Sequence, residues 1–274
     1  MLTRESYILK PVEIEFELLF LFRKNDPIII FDIGACEAED SIRYANLFPR
    51  STIYAFEPRT DNCQKGKMLI KEYNKLTIVL ENIALSDKNG TAEFYLSDGE
   101  PNNLRNDENW DYGNKSSSLL PPTDKMKHHT DWLTFNNKVV VETKRLADYV
   151  AERKISTIDF AHIDVQGAEL MVLHGAGEFI HNIKLIWMEV EAVRLYENQP
   201  LKKDVEAFMQ SNSFVSILDT VNDVSGDQLY ANKNFFSDTQ IKSLHAFKRK
   251  LKKKAKWRSY LKSIFVLEEK WLKK

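Results

Sequence analysis

Residues 28–33 read Ile-Ile-Ile-Phe-Asp-Ile, a β-branched run apolar on both faces that stops at the small pair Gly34-Ala35. A strand buried on both sides belongs in the middle of a parallel sheet with helices above and below it. That one segment points to an α/β fold. The pattern continues with a helix over 38–47, a strand over 51–56 closed by Glu57-Pro58, a helix over 60–73 and a strand over 76–81. Such β-α-β-α-β alternation, with right-handed crossovers, builds a Rossmann-like, doubly wound sheet. Upstream, residues 12–22 fit either an alternating strand or a buried helix, and we read a helix.

Beyond the turn signal Asp87-Lys88-Asn89-Gly90, residues 91–96 alternate as a strand does. Residues 98–137 lose the rhythm: they are rich in Asn, Asp, Ser and Pro yet hold Trp110, Tyr112, Trp132 and Phe135. We read them as a long loop with a role of its own, or a partly disordered one. Regular elements resume with strand 138–143, helix 145–153, strand 157–163, helix 167–174, strand 183–190, helix 200–211 and strands near 213–219 and 228–235. This gives a helical lead-in over 1–26, one domain over 27–236 and a helical tail over 237–274. A 274-residue chain with 43% hydrophobic residues has core enough without disulfides, and only Cys36 and Cys63 are present. There is no signal-peptide pattern at the start and no apolar run near membrane-spanning length, so we expect a cytoplasmic setting.

The first strand, the loop Asp32-Ile33-Gly34-Ala35-Cys36-Glu37-Ala38-Glu39-Asp40-Ser41, a helix, and Glu57 ending the second strand outline a nucleotide-cofactor site. Small residues at 34, 35 and 38 allow close approach to the backbone, the helix start offers amide donors, and Glu57 can accept both ribose hydroxyls. Asp32, Glu37, Glu39 and Asp40 put four carboxylates around the loop, with no Lys or Arg to offset a pyrophosphate. NAD, FAD and ATP are disfavoured on that ground. S-adenosylmethionine, phosphate-free and cationic at its sulfonium and ammonium groups, fits. A solvated acidic helix start is the plain alternative for Glu37, Glu39 and Asp40.

The chain resembles FkbM-type, class I S-adenosylmethionine-dependent methyltransferases between Ile29 and about Glu191. The matching stretches are Phe31-Asp32-Ile33-Gly34-Ala35 with Ser41, Tyr54-Ala55-Phe56-Glu57-Pro58, Asn82-Ile83-Ala84-Leu85-Ser86-Asp87, Ser117-Ser118-Leu119, Ile163-Asp164-Val165-Gln166-Gly167-Ala168-Glu169-Leu170 and Met188-Glu189-Val190. The resemblance implies a mostly parallel seven-stranded sheet with an antiparallel closing strand, which fits the element order. It implies cofactor contacts from Asp32, Gly34, Ala35, Ala38, Ser41, Glu57, Pro58, Ala84 and Ser86, and ordering of Ser117-Ser118 against cofactor or substrate. Three positions depart from the family pattern: Ala38 stands where a glycine is usual, Gln166 where Glu is usual and His162 where Lys is usual. Alanine suffices at 38 unless the backbone there needs positive φ.

Methyl transfer needs an acceptor oxygen held in line with the departing sulfur, and a nearby base assists. Asp164 ends the fourth parallel strand beside the crevice where open α/β sheets bind ligands. His162 shares its sheet face, and Glu189 and Glu191 end the next strand. We take Asp164 as the base, with His162 or Glu189 in support; a helix N-cap is the structural alternative for Asp164. Glu169 reads as solvent-facing or capping, and His128-His129 as exposed. No clustered ligand spacing suggests a metal, though a cation between Asp164 and Glu189 stays open. The expected activity is O-methylation of a hydroxyl, in a sugar of a glycan or glycolipid. The alternatives are a methyltransferase-like binding module, an RNA ribose methyltransferase and a dinucleotide-dependent oxidoreductase.

Residues 242–274 carry 13 Lys+Arg against 2 Asp+Glu, so this segment is +11 and the remainder is −12. Trp257, Tyr260, Leu261, Ile264, Phe265 and Trp271 recur at helical spacing. A basic, Trp-rich amphipathic helix suits an anionic membrane surface, so we expect peripheral membrane association there. Packing on a partner or on the acidic body is the alternative. Nucleic acid is disfavoured because the body is acidic.

Overall fold

The computed structural model describes residues 3–101 and 110–250. Seven strands form the main sheet: β1 (Ile29–Ile33), β2 (Thr52–Phe56), β3 (Ile78–Glu81), β7 (Ile158–Ile163), β8 (Ile183–Glu191), β9 (Phe214–Asp219) and β10 (Ser225–Asn232). Their order is β3-β2-β1-β7-β8-β10-β9. Pairings along β3-β2-β1-β7-β8 are parallel, and β10 runs antiparallel to both neighbours. The expected architecture, a mostly parallel sheet with one antiparallel closing strand, is what the chain adopts. Strand order reverses between β1 and β7, which opens a crevice at their carboxyl ends.

Apolar residues decide the layers. Phe31, Ile33, Ile163, Ile186 and Met188 share a buried cluster with Leu146, Tyr149 and Val150 of α6 (Leu146–Glu152) and Val172 and Leu173 of α7 (Glu169–Ala176). Val205 and Met209 of α8 (Lys202–Ser211) complete it. Against the sheet also lies α3 (Glu39–Leu47), where the Tyr44 ring meets Phe160 edge-on at 5.2 Å. The helix read over 12–22 is α2 (Glu15–Leu21), preceded by α1 (Arg4–Leu9), which packs on α3. The helix read over 60–73 is α4 (Thr60–Glu72).

A second sheet, in order β4-β6-β5, comprises β4 (Ala84–Ser86), β5 (Gly90–Asp98) and β6 (Thr134–Arg145). Here the structure corrects the reading of 98–137 as one long loop. Its described part contains a 3₁₀ turn, Gly113–Ser116, the helix α5 (Asp124–His129) and the start of β6. Four residues of β6 were hidden because Asn136, Asn137 and Lys138 are all exposed, so no alternation marks the strand. The loop's aromatics are structural: Trp132 and Phe135 pack on a small core of Met126, Leu133 and Tyr196. Trp110 is buried and donates its indole N–H to Glu39.

The chain divides into two units at Phe235–Phe236. In the second, residues 238–250 are helical. Trp257, Tyr260, Phe265 and Trp271, on which the membrane reading depends, lie outside the described residues. Among the described residues no helix is long and apolar enough to cross a membrane.

Candidate active site

The loop after β1 is shaped by close contact. The amides of Gly34 and Ala35 both donate to the Phe56 carbonyl, at 3.0 and 2.9 Å. Gly34 has φ +90, and a Cβ there would sit 1.7 Å from the Asp164 carbonyl oxygen. Only glycine lets the ends of β1 and β7 lie this near. Ala38, at the start of α3, has φ +66. The backbone does require the left-handed region where the family glycine stands, and alanine bears that cost of about 1 kcal/mol.

The loop carboxylates are not what their sequence suggests. Glu37 and Glu39 are 0% and 3% exposed, which rules out a solvated helix start. Glu37 pairs with Arg4, with Lys65 at 3.0 Å and with the Asn114 amide at 2.9 Å. Glu39 meets Arg4 at 3.5 Å, Lys115 at 3.6 Å and the Trp110 indole at 2.7 Å. Asp40 pairs with Arg43 at 2.6 Å. The expectation of four uncompensated carboxylates is therefore corrected. Cations from α1, α3, α4 and the 110–116 segment pair with Glu37, Glu39 and Asp40, and His162 meets Asp32, so a phosphate-bearing cofactor is no longer excluded on charge.

Between the ends of β1, β2 and β7 lies a part-open cleft. Phe56, Ile83, Leu85, Phe94 and Leu119 give it apolar walls, and Glu57, Asn114, Lys115, Ser117, Asp164 and Gln166 give it polar ones. Of the sequence-chosen residues, Gly34, Glu57, Pro58, Ala84 and Asp164 line it. Asp32, Ala35, Ala38 and Ser41 are buried and outside the lining. Ser86 also lies outside it, its hydroxyl on Asp87 at 3.2 Å. Cys36, Asn114 and Lys115 were missed. Cys36 lies in the loop already read as the cofactor loop, whereas Asn114 and Lys115 reach the cleft from the irregular segment, where no local pattern marks them.

Glu57 is held by two backbone amides, Cys36 N–H on Oε2 at 2.9 Å and Arg59 N–H on Oε1 at 2.7 Å. Burial pushes its carboxyl up to about 8 against the pull of those amides. Asp32 accepts from Ser41 Oγ at 2.5 Å and contacts His162 Nδ1 at 3.2 Å. Burial opposes a charge on His162, but the hydrogen bond and the charge of Asp32, with Asp40 and Asp164 behind, push it up to about 9. At neutral pH His162 is thus a cation, supplying the charge that the family's usual lysine brings.

Beside His162, Asp164 and Glu189 share the amide of Gln166, at 2.6 and 2.8 Å. Burial, then the charges of Asp164 and Glu191, hold Glu189 well above the usual carboxylate range. Asp164 is raised by burial too, restrained by His162 and Gln166. Asp164 does not cap α7, whose N-cap is Ala168. Glu169 is buried rather than solvent-facing, and accepts the amides of Val165 at 3.2 Å and Gly167 at 3.0 Å, fixing the turn. Among the described residues no group of His, Cys, Asp and Glu is arranged to hold a metal ion.

These shifts set a pH dependence. Glu57, Glu191 and Asp227 are raised to about 8, 7 and 6, in each case chiefly by burial, so below those values the fold keeps protons that the unfolded chain has lost. His162, raised to about 9, adds stability that is complete below about 6.5 and lost as pH rises through 9. All four act in one direction. On these four groups the melting temperature of the ligand-free protein is expected to fall steadily from about pH 5 to pH 8.5, by roughly 5 °C or more, measured by calorimetry.

A Rossmann-like sheet of this order, with its cleft at the strand switch and acidic residues ending β1, β2 and β7, defines a class I methyltransferase. The chain belongs to the Methyltransferase FkbM domain family, whose profile matches residues 32–216, and is an S-adenosylmethionine-dependent methyltransferase. It is similar to the 2-O-methyltransferase NoeI of Sinorhizobium fredii (strain NBRC 101917 / NGR234), with 28% identity over 81% of this chain and 86% of that protein. Among solved structures, an FkbM methyltransferase from Methylobacillus flagellatus KT matches with 16% identity and TM-score 0.48 over 83% of this chain. This chain spans half the length of that one. A precorrin-6y C5,15-methyltransferase from Geobacter metallireducens GS-15 matches with 13% identity and TM-score 0.43, covering 83% of this chain and 88% of that one.

Proposed function

We propose that the chain is an O-methyltransferase acting on a hydroxyl of a sugar in a glycan or glycolipid, with Asp164 as the base. The observation that carries this reading is the position of Asp164. It lines the cofactor cleft and continues into a part-exposed row of polar groups, His162, Gln166, Glu189 and Asp227, at the ends of β7, β8 and β10. Such a row offers a polyhydroxylated acceptor many hydrogen-bond partners. The similar 2-O-methyltransferase supports oxygen as the acceptor atom. Of the loop aromatics Trp110 is buried and Trp132 and Phe135 are partly buried against a small core, so they give the sugar reading no help.

The cleft suits S-adenosylmethionine. Its apolar walls match a purine, and each Glu57 oxygen accepts one backbone amide, leaving lone pairs for ribose hydroxyls. When bound, that cofactor would supply an electrophilic methyl group to the acceptor oxygen, its sulfur leaving as the neutral thioether. Asp164 takes the hydroxyl proton. A screen of nucleotide sugars, oligosaccharides and RNA with radiolabelled methyl donor tests the reading, and label in RNA alone overturns it. Tight cofactor binding without transfer to any acceptor would favour a binding module.

Glu57 gives a sharper test. Ribose hydroxyls donate to the ionised carboxylate, so affinity for S-adenosylhomocysteine is expected to rise about tenfold or more from pH 6.5 to 8.5. Calorimetry on Glu57→Gln should show weaker binding and a flat profile over the same range. Full binding by that variant would remove Glu57 from the cofactor site.

We propose as well that residues 242–274 hold the chain at an anionic membrane surface, from the charge of +11 and the aromatic spacing. Full-length protein should co-sediment with anionic vesicles and weaken with salt, and a 1–241 truncation should not bind. Equal sedimentation of the two would leave the tail as a packing or partner helix.

A further inference from the structure

At the carboxyl ends of β7 and β8 one amide serves two acids. Gln166 Nε2 lies 2.6 Å from Asp164 Oδ1 and 2.8 Å from Glu189 Oε2. An amide NH₂ has two hydrogens, so each carboxylate receives one. The opposite end of the side chain, Oε1, lies 3.3 Å from the hydroxyl of the fully buried Tyr196, whose single hydrogen is shared with the nearer Ser116 carbonyl at 2.7 Å.

The backbone of Gln166 is fixed as firmly as its side chain. It is left-handed, φ +54, and Gly167 follows at φ +95. Ser118 Oγ donates to the Gln166 carbonyl at 2.8 Å, and Glu169 gathers the amides on either side. A left-handed non-glycine residue is strained and persists where its surroundings demand it. Here they hold the side chain over the strand ends.

We propose that Gln166 is the positioning residue of the site: its amide ties Glu189 to Asp164 and leaves Asp164 Oδ2 aimed at the acceptor. Among the described residues Oδ2 accepts no hydrogen bond, so it is available for the hydroxyl proton. The second acid gains its own donor from the same nitrogen, and two like groups that would repel become one unit. A glutamate here would bring a third carboxylate against two, with no hydrogen to share when ionised. The inference rests on the O-methyltransferase reading for the identity of the acceptor.

Because the amide serves both acids, their other neighbours select which one is charged. A donor on Asp164 favours its ionised form, and so does the cationic His162. Asp32, Asp40, Glu169, Glu191 and Asp227 surround the pair and push the other way. Asp164 is thereby the base and Glu189 the proton-bearing member.

Titration of full-length protein carrying ¹³C in its Asp and Glu side-chain carboxyls tests this without an acceptor, with Asp164→Asn and Glu189→Gln assigning the two signals. Asp164 should titrate below Glu189. In Gln166→Met, which keeps the length and removes the donor, the Asp164 titration should move up by about one pH unit or more. The acid limb of kcat should move with it, lowering turnover about tenfold at neutral pH while cofactor affinity stays within a few-fold. An unmoved Asp164 signal in a folded variant overturns the proposal. A signal that moves down also overturns it, because Gln166 then presents its oxygen to two protonated acids. Should Gln166→Met fail to fold, Gln166→Glu, matched in shape, carries the same upward prediction. Wild-type protein that transfers no methyl group would defeat the functional reading, while the titration judges the role of Gln166 separately.

Discussion

Gly34→Ala is expected to cost the protein more than 4 kcal/mol and to abolish binding of S-adenosylhomocysteine in whatever fraction still folds. Two effects combine at this residue. Its φ of +90 strains any side chain, and its added Cβ would lie 1.7 Å from the Asp164 carbonyl oxygen, a backbone atom that cannot rotate aside. Relief requires the ends of β1 and β7 to part by more than an ångström. That movement would displace Asp164 N–H from the Ile33 carbonyl, 2.9 Å away, and open the wall of the cleft. Gly90→Ala is the control: its φ is +135, but nothing lies within 4 Å of a Cβ there. It carries the torsional cost alone, about 1–2 kcal/mol, and leaves ligand binding intact. Thermal melts of both variants with calorimetry of the ligand separate the two. Equal, mild effects would mean that strand-end contact is not what glycine protects.

Strands β1, β2, β7 and β8 were legible because each is mostly apolar and buried and ends at a turn or an acidic residue, and their helices because they alternate with those strands. β4 was not, being three residues long, too short for any period to show. The ligand side was legible in part. Gly34, Glu57 and Asp164 occupy positions that strand ends and turns impose, so spacing finds them. The partners of the loop acids are another matter. Arg4 is 33 residues from Glu37, and Asn114 is 77 residues from it. Reading along the chain counts four negative charges where folding assembles a compensated network. Gln166 stood out as a departure from the family pattern, but its role did not, because that lies in its two partners, Asp164 two residues away and Glu189 twenty-three away.

His162 and Gln166 are best understood together. Lysine and glutamate at these positions would contribute one charge of each sign. Here a histidine made cationic by Asp32 supplies the positive charge, and the amide replaces the negative one. The pocket is left less acidic by one carboxylate, which matters where Glu189, Glu191, Glu169 and Asp227 are already crowded.

Asp164→Asn is expected to lower turnover about 10²–10⁴-fold while affinity for S-adenosylhomocysteine changes no more than a few-fold. The asparagine carbonyl can still accept from Gln166 Nε2, so the bridge to Glu189 survives and the cleft keeps its shape. What disappears is the basic oxygen. The charge of Asp164 helps to raise Glu189, Glu191 and Asp227, so its removal should also relieve them. The variant should therefore melt higher than wild type at pH 8, by roughly 2 °C or more, and its melting temperature should depend less on pH. A residue serving only to hold the strand end would show the opposite pattern, a lower melting temperature with turnover following the folded fraction. A folded, stabilised and nearly inactive Asp164→Asn thus identifies a site where stability is given up for chemistry. Undiminished turnover would return Asp164 to a structural role and leave the acceptor's proton to pass directly to water.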